Sequence, residues 1–510
     1  MELVTDYLES TAKSFPDKKA FIDEHKSITF SELENCSKKI GTVLAGSGYF
    51  QKPVCIFMEK SVECIPSMLG ILYSGNFYTV LDVHMPSVRI KKILETLRPS
   101  AFITTDASRE QLAEVLAESG YGADDADVLL YEEVMNSEID ENLLLDIKSR
   151  IDETATMFVL FTSGSTGVPK GVIIKQKAFP PYIKWYRDFF KLDDSMITAN
   201  QTPFYFIMSC PDIYLTILCG GTCHIVPKNT FSFPVMLLEY LKERHVNFID
   251  WVPSILCLIA NFRALPEVHL DDLKLVLFGG EVMPAKQMNM WKREYPDTKF
   301  YNLYGLTEST EMISYYEIDR ELDPAESIPI GYPVPYMKVL ILDDNNRLCE
   351  QGQTGSLCIS GKAVAEGYYN MPEKTAEVFT PNPLYRDGDD PDTKYMYNTG
   401  DLVKADEKGC IIYMGRKDFQ IKHMGNRIEL GEIETAVSSL EGIDRACCLY
   451  DTKRSRIVLF YTGTEDDDTI VSGLKKLLPA YMIPNRMEHL DEMPANVNGK
   501  IDRVALKELI

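Results

Sequence analysis

The chain has 510 residues, which is too long for a single hydrophobic core, so we expect about two to four domains or subdomains. Hydrophobic residues make up 45% and charged residues 25%, as in an ordinary globular protein. The net charge of −23 argues against a nucleic-acid-binding protein, because there is no basic surplus to neutralise phosphates, although a few local cations could still hold one nucleotide.

The twelve cysteines are scattered, and no Cys-x-x-Cys pair occurs among them. This pattern predicts reduced thiols in a cytoplasmic protein and argues against a zinc site. The N-terminal segment is polar and has no apolar core of a signal peptide. No run of about 18 apolar residues is present, so we expect no membrane-spanning segment and no membrane partner.

Amphipathic and short apolar segments alternate through the first part of the chain. The segment "SITFSELE" (27–34) predicts a strand followed by a serine-capped helix start. Helices are predicted at 6–15, 31–46 and 62–75, and strands at 53–58, 101–105 and 156–164. This alternation is typical of an α/β fold with largely parallel sheets.

The pattern changes after about residue 325, where strands separated by turn residues predict a β-rich subdomain. These strands lie at 338–344, 355–361 and 409–416, with an acidic surface loop at 384–395. A new unit follows, with helices at 429–440 and 468–477 and strands at 446–451 and 456–461. We therefore expect an α/β core domain over 1–417, with two α/β sheet subdomains and the β-rich subdomain, and a small α+β domain over 418–510.

The segment "FTSGSTGVPKGV" (161–172) places a glycine- and hydroxyl-rich turn directly after a buried strand. Exposed backbone amides and hydroxyls in such a turn suit phosphate oxygens. The order of residues differs from the common NTPase loop, since Lys170 is followed by Gly171. Taken alone, the segment could also be a flexible surface loop.

Two later segments carry candidate nucleotide ligands. In "NLYGLTEST" (302–310), Tyr304 could stack on a base, Thr307 could donate its hydroxyl and Glu308 could hold Mg²⁺. In "YNTGDL" (397–402), Asp401 could accept both hydroxyls of a ribose. Each segment alone is more often a structural turn.

Together with "GRKDFQIKHMGNRIELGEIE" (415–434) and "NGKID" (498–502), these segments resemble, in order and spacing, the adenylate-forming (ANL) superfamily. Within it they are most similar to the adenylation domains of nonribosomal peptide synthetases and to stand-alone D-alanine–carrier protein ligases. The resemblance extends from the N-terminal helix to Lys500. It implies an ATP- and Mg²⁺-dependent enzyme that makes an acyl-adenylate and passes the acyl group to a thiol.

The resemblance also assigns roles to residues. Thr307 would face the α-phosphate, Glu308 would bind Mg²⁺, and Lys500 would bridge the substrate carboxylate and the nucleotide. The implied nucleotide-binding residues are Thr162, Ser163, Gly164, Ser165, Thr166, Gly167 and Lys170 for the phosphates, Gly279, Gly280, Glu281, Asn302 and Tyr304 for the base, and Asp401 and Arg416 for the ribose.

Asp418 matches the hinge of the family, about which the small C-terminal domain moves as a lid. By the resemblance, Lys500 serves the adenylation step, and "KHMGNR" (422–427) faces the site in the thiolation step. Leu306 stands where the peptide-synthetase motif usually has proline. We expect this to change the rigidity of the loop and to leave the chemistry intact.

The segment "TPFYFIMSCPDIYLTILCGG" (202–221) departs from the amino-acid-activating relatives. Phe204, Phe206 and Ser209 fit their pattern, but Ile207 occupies the position of the aspartate that pairs with the α-ammonium of the substrate. An ammonium buried against isoleucine would lose its hydration without gaining a partner. The usual α-amine anchor is therefore missing.

Two interpretations follow for the substrate. Either the acid has no α-amine, or its amine lies elsewhere and is held by Asp250 or Glu311, which could also point away from the pocket. The resemblance predicts a mostly apolar pocket lined by Phe206, Ile207, Met208, Pro211, Asp250, Val276, Phe278, Leu303, Glu311 and Met312.

The chain ends soon after Lys500 without a carrier segment, so we expect the acceptor to be a separate molecule. The first choice is the phosphopantetheine of a carrier protein in trans, and the second is coenzyme A, which would make the enzyme an acyl-CoA synthetase. A catalytically silent, binding member of the family is disfavoured because the predicted catalytic residues are present.

Overall fold

The computed structural model describes residues 2–121, 125–164, 167–324, 326–417, 419–494 and 501–510. Within these ranges, no helix combines the length and the apolar composition needed to cross a bilayer.

The first part of the chain builds a six-stranded sheet with order β6-β5-β3-β4-β7-β8. The strands are parallel except β8, which is antiparallel to β7. The elements are α1 (Val4–Ser14), β1 (Lys19–Ile22), β2 (Ser27–Thr29), α2 (Phe30–Gly46), β3 (Pro53–Phe57), α3 (Cys64–Tyr73), β4 (Phe77–Leu81), α4 (Ser87–Leu97), β5 (Ala101–Thr104), α5 (Arg109–Ser119), β6 (Asp127–Leu130), α6 (Tyr131–Val134), α7 (Glu141–Arg150), β7 (Thr156–Thr162) and β8 (Lys170–Lys175).

The cap of α2 differs from the prediction of a serine. The helix begins at Phe30, so Thr29 is the capping residue, and its hydroxyl accepts a hydrogen bond from the Glu32 N–H at 3.2 Å. The Glu32 carboxylate in turn accepts from the Thr29 N–H at 2.8 Å. The helix starts one residue earlier than expected because this reciprocal pair satisfies two backbone donors.

A nine-stranded sheet follows, with order β15-β14-β13-β12-β11-β9-β10-β1-β2. Its elements are α8 (Phe179–Phe190), β9 (Ile197–Asn200), α9 (Cys210–Cys219), β10 (Thr222–Ile225), α10 (Pro234–Glu243), β11 (Phe248–Trp251), α11 (Pro253–Asn261), β12 (Leu275–Gly279), α12 (Ala285–Glu294), β13 (Lys299–Tyr304), β14 (Ser314–Glu317) and β15 (Tyr332–Pro333). Because β11, β12 and β13 are parallel, their carboxyl ends share one edge, where α/β folds bind ligands.

The register of these strands separates two faces of the nine-stranded sheet. Asp250 is paired with Leu277, which lies in the core under α8 and α9. Val276 and Phe278 face the other way and pack into a second core with Trp251. Alternation along each strand thus assigns neighbouring residues to different sides of the domain.

The predicted β-rich subdomain is a five-stranded antiparallel sheet. Four of its strands have the order β16-β17-β19-β18, and the fifth, β20, pairs with β19. Its elements are β16 (Lys338–Leu342), β17 (Gly355–Ser360), α13 (Pro372–Val378), β18 (Phe379–Pro381), β19 (Tyr395–Ala405) and β20 (Ile411–Arg416). The α/β fold class, with mixed sheets in the large domain, is confirmed.

The described residues after 418, which we call the lid, form a two-stranded hairpin and a three-stranded sheet of order β23-β24-β25. The elements are β21 (Gln420–His423), β22 (Asn426–Glu429), α14 (Leu430–Ser438), β23 (Ile443–Asp451), β24 (Arg456–Gly463), α15 (Asp467–Leu477), β25 (Arg486–His489) and α16 (Arg503–Lys507). The lid has a hydrophobic core of its own. The boundary at 417/418 stays a prediction, since residue 418 lies outside the described residues.

Candidate active site

The glycine-rich loop connects β7 to β8 and turns tightly. A Cβ atom added to Gly164 would lie 2.1 Å from the Val168 carbonyl oxygen, so only glycine fits there. The Gly167 N–H donates to the Gly164 carbonyl at 2.9 Å, and Gly167 has φ +73°, a conformation that glycine adopts at little cost. Ser165 and Thr166, also predicted to bind phosphate, lie outside the described residues.

Lys170 stands at the end of this loop. Its Nζ lies 3.7 Å from Glu429 of the lid and 5.3 Å from the centre of the Tyr368 ring. Burial and the nearby charge of Arg427 lower the pKa of the Lys170 ammonium. The predicted phosphate lysine is thus held inside the site.

Asp401 lies at the centre of a fully paired cluster. Its Oδ1 accepts from Arg416 Nη1 at 2.8 Å, and its Oδ2 accepts from the Tyr304 hydroxyl. Burial, together with the Asp401 carboxylate, raises the pKa of the Tyr304 phenol. The structure therefore brings together three residues that the sequence analysis had assigned separately to the base and the ribose.

Glu308 is completely buried in a short turn after β13. Its carboxylate accepts from Tyr368 Oη at 2.8 Å and from Nη1 of Arg427, at 2.8 Å for Oε1 and 2.6 Å for Oε2. Although burial opposes ionisation, the positive charges of Arg427 and Lys170 lower the pKa of Glu308. The predicted magnesium ligand is thus ionised and neutralised by an arginine of the lid.

The hairpin of the lid lies directly on the nucleotide side of the core domain. Lys422 Nζ donates to the Gly305 carbonyl at 3.2 Å and lies 5.4 Å from the Tyr304 ring centre. The Ser163 hydroxyl donates to the Arg427 carbonyl at 2.6 Å. Burial lowers the pKa of Lys422 to about 8.

The tip of the hairpin packs against the carboxyl end of β11. A Cβ atom added to Gly425 would lie 2.5 Å from Val252 Cγ1, and Gly425 has φ +76°. No larger residue fits at this contact. A buried ion pair joins the two domains nearby, with Arg89 Nη1 at 2.6 Å from Glu432 Oε1.

The residues predicted to lie along the adenine are at and just after the carboxyl end of β12, and in β13 near Tyr304. A Cβ on Gly279 would lie 2.6 Å from the Leu303 carbonyl oxygen, so the two strands approach closely there. The Asn302 side-chain amide donates to the Pro329 carbonyl at 2.8 Å, and Glu281 accepts from the Ser254 N–H at 3.1 Å.

A cavity lies between the core domain and the lid. Thr307 lines it at the nucleotide side and Arg89 at the other, and the remaining lining residues include Val80, Met85, Ile93, Leu160, Phe161, Thr162, Ser163, Tyr205, Phe206, Ile207, Met208, Gly280, Gly305, Leu306, Lys422, Gly425, Arg427 and Tyr481. The predicted residues Phe206, Ile207 and Met208 thus share a wall with Thr307. The Leu306 N–H donates to Ser309 Oγ at 3.1 Å, a bond that the proline of the usual motif could not make.

The remaining predicted pocket residues do not line the cavity. Pro211 is in the first turn of α9, and Met312 is buried in the same core as Ile207. Leu303 belongs to that core as well. Val276 and Phe278 lie on the opposite face of the sheet, as the strand register shows.

Asp250 and Glu311 are buried carboxyl groups on the α8 side. Asp250 Oδ2 accepts from the Tyr186 hydroxyl at 3.4 Å, and Glu311 Oε2 accepts from the Tyr182 hydroxyl. Burial raises the pKa of each carboxyl well above its ordinary value. Among the described residues, neither forms an ion pair with a basic side chain.

Lys500 and Asp418, predicted as catalytic and hinge residues, lie outside the described residues. Sequence reasoning missed the roles of Tyr368 and Arg89, and it treated Arg427 only as part of a segment. Tyr368 follows β17, the second strand of the β-rich subdomain, in "EGYYN". Nothing in that segment indicates a contact with Glu308, which is 60 residues away.

Comparison with known proteins identifies the family of the chain. The sequence model of the AMP-binding enzyme family matches residues 8–369. The chain is 32% identical over 99% of its length to delta-poly-L-ornithine synthetase of Acinetobacter baumannii, but it spans only 36% of that protein. It is 31% identical to a D-alanine–D-alanyl carrier protein ligase of Staphylococcus aureus, with 99% of both chains covered.

Among solved structures, the o-succinylbenzoate CoA synthetase of Bacillus subtilis has the same fold, with a TM-score of 0.79, 19% identity and 98% of both chains covered. The family match covers well over half of the chain, and it includes the glycine-rich loop and Glu308. The chain therefore belongs to the AMP-binding enzyme family and is an adenylate-forming ligase.

Proposed function

We propose that the enzyme activates a carboxylic acid with ATP and transfers the acyl group to the phosphopantetheine thiol of a separate carrier protein. A carboxylate oxygen attacks the α-phosphorus of ATP, and pyrophosphate leaves. The thiol sulfur then attacks the carbonyl carbon of the acyl-adenylate, its proton is lost, and AMP leaves.

The first step brings two anions together, so cations must reduce their repulsion. Lys170 and Lys500 are the proposed lysines for this role, at the phosphates and at the carboxylate. Glu308 offers two carboxylate oxygens, the ligand type that Mg²⁺ prefers, and Thr307 adds a hydroxyl. When bound, Mg²⁺ supplies positive charge to the triphosphate.

The observation that carries the proposal is the position of the lid hairpin. Lys422 and Arg427 lie next to Asp401 and Glu308, and the cavity between the domains connects Thr307 with Arg89. Such a cavity suits a thiol on a long arm that enters between lid and core. This arrangement supports the transfer of the acyl group to the thiol. The formation of the acyl-adenylate would need the segment around Lys500 at the same place.

A carrier protein is favoured over coenzyme A as acceptor. One relative, for which 99% of both chains is covered, is named as a carrier protein ligase. An acyl-CoA synthetase remains the alternative, since a CoA synthetase shares this fold.

We further propose that the acid lacks an α-amine at the usual position. Ile207 is 7% exposed and lines the cavity wall where an α-ammonium would need an anion. No carboxylate lines this cavity among the described residues. Burying an ammonium there would leave it without a partner.

ATP–pyrophosphate exchange over a panel of carboxylic acids tests adenylation, and loading assays test the acceptor. We expect exchange with at least one acid and transfer to a phosphopantetheinylated carrier protein. Faster acylation of coenzyme A than of any carrier would support the alternative. A chain that exchanges pyrophosphate with no acid would be a silent member of the family.

A further inference from the structure

A buried ion pair joins the core domain to the lid at the end of the cavity away from Thr307. Arg89, on α4, donates from Nη1 to Oε1 of Glu432, on α14, at 2.6 Å. The two side chains are 4% and 3% exposed, and within the part of the chain that the structure describes neither has a second ionic partner. Burial of these two charges is therefore compensated only while the two domains stay in contact.

Another ion pair between the domains lies at the nucleotide end of the cavity, with the charges reversed. There the lid supplies the cation, Arg427, and the core domain supplies the anion, Glu308, at 2.6 Å. The chain between Arg427 and Glu432 contributes Ile428 to the hydrophobic core of the lid, so the two lid residues move as one unit. The reversed charges fix the orientation of the lid, because exchanging the two contacts would bring like charges together.

The two ion pairs differ in their dependence on the nucleotide. Glu308 is the residue proposed to bind Mg²⁺, so a bound metal competes with Arg427 for the carboxylate oxygens that Arg427 contacts. The pair of Arg89 and Glu432 contains no residue predicted to bind the nucleotide. This pair can therefore hold the lid with or without a bound nucleotide, and it favours whichever reaction step uses this lid position.

Helix α4 also contacts the glycine-rich loop. Lys92 lies three residues after Arg89, on the same face of the helix, and its Nζ donates to the Gly167 carbonyl at 2.8 Å. A Cβ atom added to Gly167 would lie 3.8 Å from Lys92 Nζ and 3.9 Å from Cγ2 of Thr435, on α14. Helix α4 packs against α15 of the lid as well. The core domain thus receives the lid on α4, next to the loop predicted to bind the phosphates.

We propose that Arg89 is a positioning residue for acyl transfer, which holds the lid in the transfer position through Glu432 and does so independently of the nucleotide. The inference rests on the proposed function, in which adenylation and transfer use different positions of the lid. Movement of the lid away from this position would separate Arg89 from Glu432. The pair therefore stabilises the transfer position relative to the adenylation position, and its loss should slow transfer and spare adenylation.

Single-turnover transfer and pyrophosphate exchange, measured with the full chain and the acid and thiol acceptor that the wild type uses best, test this role. Arg89→Gln and Glu432→Gln should each slow transfer about ten- to a hundredfold, the value of one hydrogen bond between charged groups, and retain exchange. Among the described residues that line the cavity, Arg89 is present and Glu432 is not. A loss confined to Arg89→Gln would indicate direct contact with the thiol arm and would overturn the positioning role.

Glu434→Gln is the matched control on the same helix. Glu434 also pairs with an arginine, but that residue, Arg503, belongs to the lid and lies 2.7 Å away. The ratio of transfer to exchange should be unchanged in this variant. Arg89→Lys should restore most of the ratio, because the pair uses one contact that an ammonium can also make. A lysine variant no better than Arg89→Gln would argue against a role of the positive charge.

The double variant Arg89→Gln/Glu432→Gln covers the case in which a single variant does not fold. It leaves neither charge of the pair buried alone, so we expect a folded protein in which transfer is slowed about as much as in either single variant. Normal transfer in the double variant, or equal losses in transfer and exchange, would overturn the positioning role and leave the proposed function intact. A wild type without exchange on any acid, or without transfer to any thiol, would instead overturn the proposed function and this inference with it.

Discussion

Buried carboxylates on the nucleotide side of the site have different bonding partners from those on the substrate side. Asp401 and Glu308 are both paired with an arginine and a tyrosine, so their charges are neutralised within the protein. Asp250 and Glu311 each have one tyrosine and no cation among the described residues. Because burial raises the pKa of Asp250 and Glu311 well above the ordinary value, these two acids keep a proton and need no cation, whereas Asp401 and Glu308 are ion-paired.

This contrast separates what the two sides do. On the nucleotide side, Arg427 of the lid bonds with the residue predicted to hold Mg²⁺. The metal and Arg427 would compete for the same two oxygens, so this lid position suits the enzyme after pyrophosphate has left. On the substrate side, Asp250 and Glu311 are bonded to tyrosines of α8, and no lid residue that the structure describes forms an ion pair with either acid.

The largest effect is expected from Lys500→Ala. Loss of a preorganised positive charge between carboxylate and phosphate costs about 3–4 kcal/mol of transition-state stabilisation, or a few-hundredfold in rate. Pyrophosphate exchange should fall by that factor, while circular dichroism and the melting temperature stay the same. Unchanged exchange in a folded variant would contradict the adenylation mechanism.

The residues predicted to bind the nucleotide stand in short segments with a recognisable order, and the structure brings several of them into contact, while their roles as ligands stay predictions. The partners of Glu308 could not be predicted, since Arg427 is 119 residues away and reaches it only through the position of the lid. The resemblance assigned Glu308 to Mg²⁺ and the hairpin to another step. The resemblance did not indicate that Glu308 and the hairpin would be in contact.

The substrate side was harder to predict because its geometry depends on strand register. The resemblance to the family groups Val276, Phe278 and Asp250 in one pocket, but strand pairing places Asp250 on one face of the sheet and the other two on the opposite face. The tyrosines of α8 carry no motif at all. Their hydrogen bonds to Asp250 and Glu311 depend on how the helix packs, which composition and periodicity do not determine.

Arg427→Gln should separate the two half-reactions. A hydrogen bond between charged groups contributes about 1.5–3 kcal/mol, so transfer to the carrier should slow by about ten- to a hundredfold. Pyrophosphate exchange should be retained, because Glu308 would then be free for Mg²⁺. Single-turnover measurements of each step give the two rates.

Arg454→Gln is the matched control for Arg427, since its side chain is 63% exposed on the lid and lies 3.9 Å from Asp451. Both steps should be unaffected in this variant. Equal losses in exchange and transfer for Arg427→Gln would show that the ion pair serves the fold and does not select a lid position.

Ile207→Asp should change the substrate side. A carboxylate at this position could pair with an α-ammonium, and we expect activity on α-amino acids to rise by about tenfold, the value of one good charged hydrogen bond. Ile207→Asn is the control, because asparagine has nearly the same size as aspartate and carries no charge. No gain in a variant that still folds would place Ile207 outside the amine site.

The smallest effect concerns Lys422, whose pKa is lowered to about 8 mainly by burial, against the opposing charge of Asp401. The lysine is therefore protonated below about pH 8 and neutral above it. The positive charge of Lys422 would favour the departure of the AMP phosphate, although the nearby charge of Arg416 reduces this effect. We expect a contribution of about 0.5–1 kcal/mol, so at pH 7 the wild type should transfer the acyl group about two- to fivefold faster than Lys422→Met.

This advantage should disappear by about pH 9, because the wild-type lysine has then lost its proton. The thiol becomes more reactive as pH rises, but the ratio of the two enzymes removes that shared effect. Single-turnover transfer rates between pH 7 and 9 give the ratio. A constant ratio would mean that Lys422 supports the hairpin through its contacts with Gly305 and the Tyr304 ring and that its charge has no part in the transfer.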